Sequence, residues 1–460
     1  MEENALKRFT TAKFISFAIG FFGLQFAWQM RIILSGPVTE ELGASPFLFG
    51  LIWLAGPFTG MVVQPLIGAL SDKTRTVFGR RRPYLLGGAL LSALALWAFP
   101  NSANITEWFG NILGIDLPLW SALLFAAIMI WVLDACVNIA QGPYRALVPD
   151  VVPQEQHSIA NSYISLAIGL GSVVAAGTAP FLKWAFNYQM PINAQFIMAA
   201  LAFSLGMLWT CIAIKEHKLT KEENKTEEKF NFFQSLKDFF ALSPEVGKIC
   251  WMQFFTWIGN MCMMIYFTQY AVHTVFGVPD LSDVAEAVKT SFDATVLTAT
   301  NFSSICFAIF NLVCFLVAIP IGVLSVKYGN KKIHIISMIT MALAFLGMAF
   351  TTNPKLVAVL MGLSGIGWAS ICALPFAMLS QYIKPGTEGS VMGIFNIFIA
   401  GPQVFVCTLV SWIINKCSFV TASGLNFHWE YTFLIGAACL IIASVVASKV
   451  KERENRGIKD

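Results

Sequence analysis

The residue that stands out chemically is a carboxylate inside an apolar run. Asp134 lies near the middle of WSALLFAAIMIWVLDACVNIAQGPYRALVP, residues 120–149, a stretch long and apolar enough to cross a bilayer. A carboxylate at that depth is costly and marks an ion or proton pathway by default. Asp134, Asn138, Gln141 and Arg145 follow at i, i+4, i+7 and i+11, so a helix places them on one narrow stripe. A polar stripe on a membrane helix faces a bundle interior or a watery cavity, not lipid. Burial disfavours the charged carboxylate, so with no cation beside it Asp134 would hold a proton at neutral pH and release it when the cavity opens inward. Arg145 is too far along a straight helix to be its partner, since eleven residues rise roughly 16 Å.

Four other apolar segments carry similar polar stripes. The first holds Gln25, Trp28, Gln29 and Arg31; a later one holds Asn161, Ser165 and Ser172; another holds Gln253, Trp257, Asn260 and Thr268; the last holds Asn396, Ala400 and Gln403. Two roles fit Arg31: snorkelling to the outer interface or lining a cavity. A single Asn or Gln in such a segment is commonly interhelical glue. Five stripes together suggest one shared polar cavity.

The elements that must position these residues are membrane helices. Hydrophobic residues make up 57% of the 460-residue chain and charged ones only 12%, against about 25% charged in a soluble protein. Twelve spans are expected, at 14–35, 47–70, 84–100, 119–142, 158–184, 194–214, 249–271, 302–326, 333–350, 356–383, 389–415 and 430–449. With the N-terminus inside, only Lys183, Lys289, Lys355 and Lys416 of the 30 Lys and Arg residues fall in outer loops. Arg31 lies within the first span, and the remainder are cytoplasmic. This asymmetry fixes the orientation, and both termini are expected inside. No cleavable signal peptide is evident. The ten Cys are read as packing residues, with no CxxC or Cys/His spacing for a metal.

Between spans two and three, QPLIGALSDKTRTVFGRRRP carries Asp72 among the cations Lys73, Arg75, Arg80, Arg81 and Arg82. Asn101 to Pro118 is read as an outer loop without a Lys or Arg. Residues 216–229 form a Lys/Glu-rich segment without apolar periodicity, expected to be solvated and mobile. Phe232, Phe233, Leu236, Phe239 and Phe240 then suggest an amphipathic helix on the inner membrane surface. Ser243-Pro244-Glu245 has the chemistry of a helix start.

The sequence also repeats itself. GALSDKT before GRRR in the first half matches GVLSVKY before GNKK in the second, and PYRALVPDVVPQEQHS from Pro143 aligns without gaps with PFAMLSQYIKPGTEGS from Pro375. Six helices plus six around a central linker is a two-half transporter design. The expected organisation is a helical half over 1–214, a cytoplasmic linker over 215–247 and a second half over 248–460, in an all-α membrane protein.

GALSD followed by GRRRP resembles the loop signature of the major facilitator superfamily. LIWLAGPFTGMVVQPLIGALSDKTRTVFGRRRP and WVLDACVNIAQGPYRAL are similar to the second and fourth helices of the sucrose/proton symporters of the glycoside–pentoside–hexuronide type, with weaker echoes in GLQFAWQM and GIFNIFIAGPQVFV. The resemblance implies the major facilitator fold, proton-coupled uptake of a glucoside disaccharide such as sucrose or maltose, and Asp134 as the proton carrier. Plant sucrose carriers have carboxylates late in span seven, where this chain reads YFTQYAV, and an uncharged residue in place of Arg31. A sugar needs amide partners and flat apolar faces. Gln25, Trp28, Gln29, Asn138, Trp257, Asn260, Asn396 and Gln403 are the substrate-binding candidates. Asp72, Arg80, Arg81 and Arg145 are the gating candidates, with Asp72 expected to pair with Arg145 and face the helix start near Gly389.

The same residues leave other classes open. A sodium-coupled carrier or a drug/proton antiporter is the alternative within transport, though the amide-rich stripes favour a polar cargo. A membrane enzyme lacks support, since no HExxH, GxSxG or P-loop occurs. A non-transporting receptor is the third reading. No cofactor, no metal and no nucleic-acid partner are expected. The partners are a small sugar, a proton and membrane lipid, and the expected state is a monomer in a bacterial cell membrane.

Overall fold

The computed structural model describes residues 8–153, 156–216, 239–280, 286–382, 394–421 and 424–452. The expected surface helix at Phe232, Phe233 and Leu236, and Gly389, lie outside these residues, as does the side chain of Asp72. The helices are α1 (Thr11–Glu41), α2 (Pro46–Trp53), α3 (Ala55–Lys73), α4 (Arg82–Ala98), α5 (Ser102–Leu113), α6 (Leu119–Val151), α7 (His157–Phe186) and α8 (Ile192–Ala213). They continue as α9 (Pro244–Gln269), α10 (Glu286–Tyr328), α11 (Asn330–Ala349), α12 (Pro354–Ser380), α13 (Ile397–Phe405), α14 (Ser411–Lys416) and α15 (Tyr431–Ser448). A hairpin of β1 (Ser418–Thr421) and β2 (Gly424–Phe427) precedes α15.

Within the described residues, every expected span falls mainly on helix. Among the described residues ten segments are long and apolar enough to cross a membrane. The chain is a multi-pass integral membrane protein. Helix α4 has 17 residues and turns through 80° into α5. Helix α9 has 26 residues, and its polar stripe lowers its hydropathy. The expected outer loop at Asn101–Pro118 is therefore mostly helix α5, with Trp108, Phe109, Ile112 and Leu113 exposed on it.

The starts of these helices have local causes. Thr10 accepts the Lys13 N–H at 3.4 Å to open α1, and Asn353 accepts Lys355 N–H at 3.0 Å, with Pro354 in the first turn of α12. Ser243 accepts the Glu245 N–H at 3.3 Å behind Pro244, as its sequence predicts.

The chain divides into two compact units. One comprises Met1–Lys225, Val278–Ala308 and Val420–Asn426, and the other comprises Thr226–Gly277, Ile309–Phe419 and Phe427–Asp460. Inside the first unit α1 packs on α8 and α7, and α4 packs on α6 and α8. Inside the second unit the equivalent helices pair alike: α9 with α15 and α13, α11 with α12 and α15. Close backbone approach makes these pairs. A Cβ on Gly23 would lie 2.2 Å from the Ala202 carbonyl oxygen, and one on Gly259 would lie 2.9 Å from that of Gly436. Small residues let membrane helices gain dispersion contact where lipid supplies no hydrophobic drive between them.

Candidate functional site

Helix α6 carries Asp134 into the centre of the first unit, where it is fully buried. Its partner is Arg31 of α1, whose Nη2 donates to Asp134 Oδ2 at 2.5 Å. Two expectations change here. Asp134 is not free of cations, and Arg31 does not snorkel: it is 1% exposed. Two aromatic rings flank its guanidinium carbon, Trp53 at 4.2 Å and Trp28 at 5.4 Å from ring centroid. The Trp53 indole N–H donates to Ser35 Oγ at 3.1 Å. Gly56 opens the space beside the pair, since a Cβ there would sit 3.4 Å from Asp134 Oδ2 and 4.0 Å from Arg31 Nη2. Asp134 Oδ1 has no hydrogen-bond partner, so one acceptor of the carboxylate is left for a proton or a ligand.

One turn further along α6 the stripe turns into an amide ladder. Asn138 donates to Thr59 Oγ1 at 2.9 Å and to the Asp134 carbonyl at 2.9 Å. Gln64 donates to Asn138 Oδ1 at 2.6 Å and to Gln141 Oε1 at 3.2 Å. Thr59 and Gln64, with Trp53 and Gly56, are the members that sequence reasoning missed. Their signal was present, because Gly56, Thr59, Gly60 and Gln64 recur at helical spacing along span two. Of the other candidates on α1, Gln29 is buried, while Gln25 and Trp28 are half-buried.

The second unit holds a different kind of site. On α9, Gln253, Thr256 and Asn260 are completely buried, and none of their side-chain polar atoms has a hydrogen-bond partner. The Trp257 indole N–H beside them is unpartnered too, and its ring meets Trp368 edge-on with centroids 5.8 Å apart. Leaving a buried polar group unsatisfied costs about 1–3 kcal/mol, so a run of them on one helix marks a place kept for a polar ligand or water. Asn396 and Gln403 do not join this group through hydrogen bonds. Asn396 is exposed at the start of α13, and Gln403 turns back to donate to the Ile399 carbonyl at 3.1 Å.

Two of the gating candidates, Arg80 and Arg81, meet at the loop between α3 and α4. Arg80 grips Asp150 with two hydrogen bonds, Nη2 at 2.5 Å and Nε at 3.2 Å, and Arg81 Nε reaches the same carboxylate at 3.0 Å. Arg145 is exposed and makes no ion pair among the described residues, so Asp150 rather than Arg145 anchors this cluster. Glu216 also departs from its expected place in a solvated linker. It is half-buried, and its carboxylate accepts the backbone N–H groups of Arg80, Arg81 and Arg82 at 2.8–3.1 Å. Gly79 makes room for it at φ +107°, a conformation that costs glycine little.

The second unit repeats this device. Glu452, just after the last helix, accepts the Lys331 N–H at 2.9 Å, beside Gly329 at φ +92°. Nearby, burial works to raise the Glu245 carboxyl, but hydrogen bonds from Lys248 and from the Lys451 N–H outweigh it and hold the group below its usual value. A cleft of about 240 Å³ between α5 and the start of α6 is lined by Thr106, Glu107, Asn111 and Asp116 and shares no residue with either site.

Repeated helix pairing, a charge pair buried in one unit and a neutral polar stripe buried in the other define a secondary membrane transporter. The chain belongs to the Major Facilitator Superfamily, whose model matches residues 16–298 and 284–460. It is similar to a sucrose transport protein of Arabidopsis thaliana, 27% identical over 84% of this chain and 80% of that protein. It is also similar to a general alpha-glucoside permease of Schizosaccharomyces pombe, 28% identical over 56% of this chain and 47% of that one. Its fold matches a crystal structure of a D-xylose–proton symporter with a TM-score of 0.64 at 16% identity, covering 98% of this chain and 100% of that one.

Proposed function

We propose that this protein is a proton-coupled symporter of a glucoside disaccharide, of the sucrose or maltose kind, working by alternating access. The observation that carries the reading is the buried Arg31–Asp134 pair with one carboxylate oxygen left open. Such a pair changes its net charge from zero to plus one when Asp134 takes up a proton. That one step releases Arg31 from the carboxylate and gives Asp134 a hydroxyl to donate to a sugar oxygen. Return of the proton to the cytoplasm restores the pair and removes the donor. The names of the relatives, sucrose and alpha-glucoside carriers, support the cargo class.

Gln253, Asn260 and Trp257 supply what a neutral sugar ring needs: two amides that both donate and accept, and a flat aromatic face. Charged residues on α9 are confined to Glu245 and Lys248 at its start, which suits an uncharged cargo. Arg80, Arg81, Asp150 and Glu216 hold the inner loop as the gate. The distribution of basic residues supports cytoplasmic termini, and the short loops support a bacterial cell membrane.

The test is uptake of radiolabelled sucrose and maltose into proteoliposomes under an imposed proton gradient, for the wild type and Asp134→Asn. Gradient-driven accumulation lost in the mutant while sugar exchange persists is the expected result. Accumulation driven equally well by the mutant would remove Asp134 as proton carrier.

A further inference from the structure

The short helix α5 is a part of the first unit that neither the charge pair nor the loop between α3 and α4 accounts for. Helix α4 starts at that loop, and its 17 residues rise about 26 Å, close to the ~30 Å of a bilayer's hydrocarbon core. The chain then turns through 80° into the 12 residues of α5. Side chains fix this turn. Phe99 is buried and meets Phe196 of α8 edge-on, with centroids 5.4 Å apart. Asn101 Nδ2 donates to the Trp97 carbonyl at 2.7 Å, and Ser102 Oγ donates to that of Phe99 at 2.6 Å. A span tilts by about 20° on average, so a helix at 80° to α4 lies within roughly 30° of the membrane plane.

Around its axis α5 has three faces. Ser102 and Gly110 are buried on the first. A Cβ on Gly110 would lie 2.7 Å from the Ile115 carbonyl oxygen, where the chain folds back to begin α6. Glu107 and Asn111 are exposed on the second, polar face. Trp108, Phe109, Ile112 and Leu113 are exposed on the third, at the i, i+1, i+4 and i+5 spacing of one helical stripe. The Trp108 and Phe109 rings meet edge-on with centroids 4.9 Å apart. The spans before and after α5 also expose apolar side chains, Leu94 and Trp97 on α4 and Trp120 and Leu124 on α6, as lipid-facing helices do.

We propose that α5 is a membrane-surface anchor, whose Trp108, Phe109, Ile112 and Leu113 insert at the headgroup–acyl boundary of zwitterionic lipid. Trp is favoured at that boundary because its ring is apolar and its N–H is polar. Interfacial helices commonly add Lys and Arg that attract anionic headgroups. Residues 101–118 hold no Lys or Arg but carry Glu107 and Asp116, so an anionic surface repels this segment. The contact is therefore apolar insertion, with a zwitterionic interface as the partner. Helix α5 packs on α6, so the anchor holds the start of the helix that carries Asp134 at a set depth. The anchor does not depend on Asp134 carrying a proton.

The test places a nitroxide-bearing amino acid at positions 107–109 and 111–113 of the full chain, one at a time, in phosphatidylcholine proteoliposomes. Genetic insertion of the label leaves the ten Cys untouched. Power saturation then measures collisions with oxygen, which dissolves among the acyl chains, and with a water-soluble nickel chelate. Oxygen contact is expected to exceed nickel contact several-fold at 108, 109, 112 and 113. The ratio is expected to reverse at 107 and 111, and the pattern to persist when phosphatidylglycerol replaces part of the lipid. Nickel contact at every position would put α5 in water, and oxygen contact at every position would put it inside the hydrocarbon. Shielding of 108, 109 and 112 from both would mean that a protein surface, such as a second copy of the chain, covers the face. Each of these overturns the proposal, as does a stripe that reaches lipid only when phosphatidylglycerol is present. Trp108→Phe in the otherwise unmodified chain checks the result without a label. The tryptophan emission it removes should be quenched by bromines on the upper acyl chain and not by aqueous iodide; the reverse also overturns the anchor.

Discussion

Asp134 can shed its charge by binding a proton, while Arg31 keeps its charge under all ordinary conditions. Truncating the two members therefore has unequal effects. Arg31→Leu leaves a buried carboxyl group that neutralises itself. Asp134→Asn leaves a buried cation flanked by the rings of Trp28 and Trp53. Breaking a buried pair typically costs 3–5 kcal/mol, and two ring contacts recover about 1–3 kcal/mol of that. Thermal unfolding in detergent at neutral pH should rank Asp134→Asn below Arg31→Leu by about 1–3 kcal/mol, with the double mutant regaining most of the loss. Equal stability of the two single mutants would mean that the pair does not sit in a dry site. Asp134 was legible in the sequence because a carboxylate inside an apolar run has a narrow range of uses. Its partner was not, because 103 residues separate them and nothing local distinguishes an arginine that snorkels from one that turns inward.

At the scale of the element, the loop between α3 and α4 depends on a residue whose sequence reads as linker. Glu216 carries the N-terminus of α4 by accepting three backbone N–H groups, the donors a helix start leaves without partners. Its counterpart Glu452 accepts one, from Lys331. Glu216→Ala should therefore loosen α4 by about 1–2 kcal/mol, seen as faster hydrogen exchange in peptides covering residues 80–84. Glu452→Ala should have the smaller effect at residues 331–334. Exchange unchanged in both would show that the loops are held by their arginines and lysines alone. The repeat of glycine and basic residues in the two loops was visible in the sequence, and so were the spans, because both are written in neighbouring residues. The carboxylates were not, since each arrives from the far end of its half. Helix α5 shows the opposite case: Ile105, Trp108, Phe109 and Ile112 recur at helical spacing, yet the segment is too short to span and lies outside the expected spans.

Across the whole molecule the two units carry different chemistry. The first buries an opposite-charge pair and an amide ladder whose members satisfy one another. The second buries Gln253, Thr256 and Asn260 with no partner and no charge beside them on the helix. A charge pair responds to pH; a set of neutral, unsatisfied amides responds to a ligand that brings donors and acceptors. If proton and sugar are divided in this way, mutations in the two units must separate in a transport assay. Gln253→Ala and Asn260→Ala should each raise the half-saturating sugar concentration about tenfold, the equivalent of one well-made buried hydrogen bond, and leave the pH midpoint where it was. Arg31→Leu should change the pH dependence and leave binding of sugar, measured by exchange at equal pH on both sides, much less affected. A pH midpoint that moved with Asn260→Ala would place part of the proton chemistry in the second unit, where the only titratable side chains of α9 after Lys248 are Cys250, Cys262 and Tyr266. Uptake insensitive to both α9 substitutions would instead return the sugar to the first unit, to the ladder of Asn138, Gln64 and Gln141, whose hydrogen bonds would then have to open for every molecule carried.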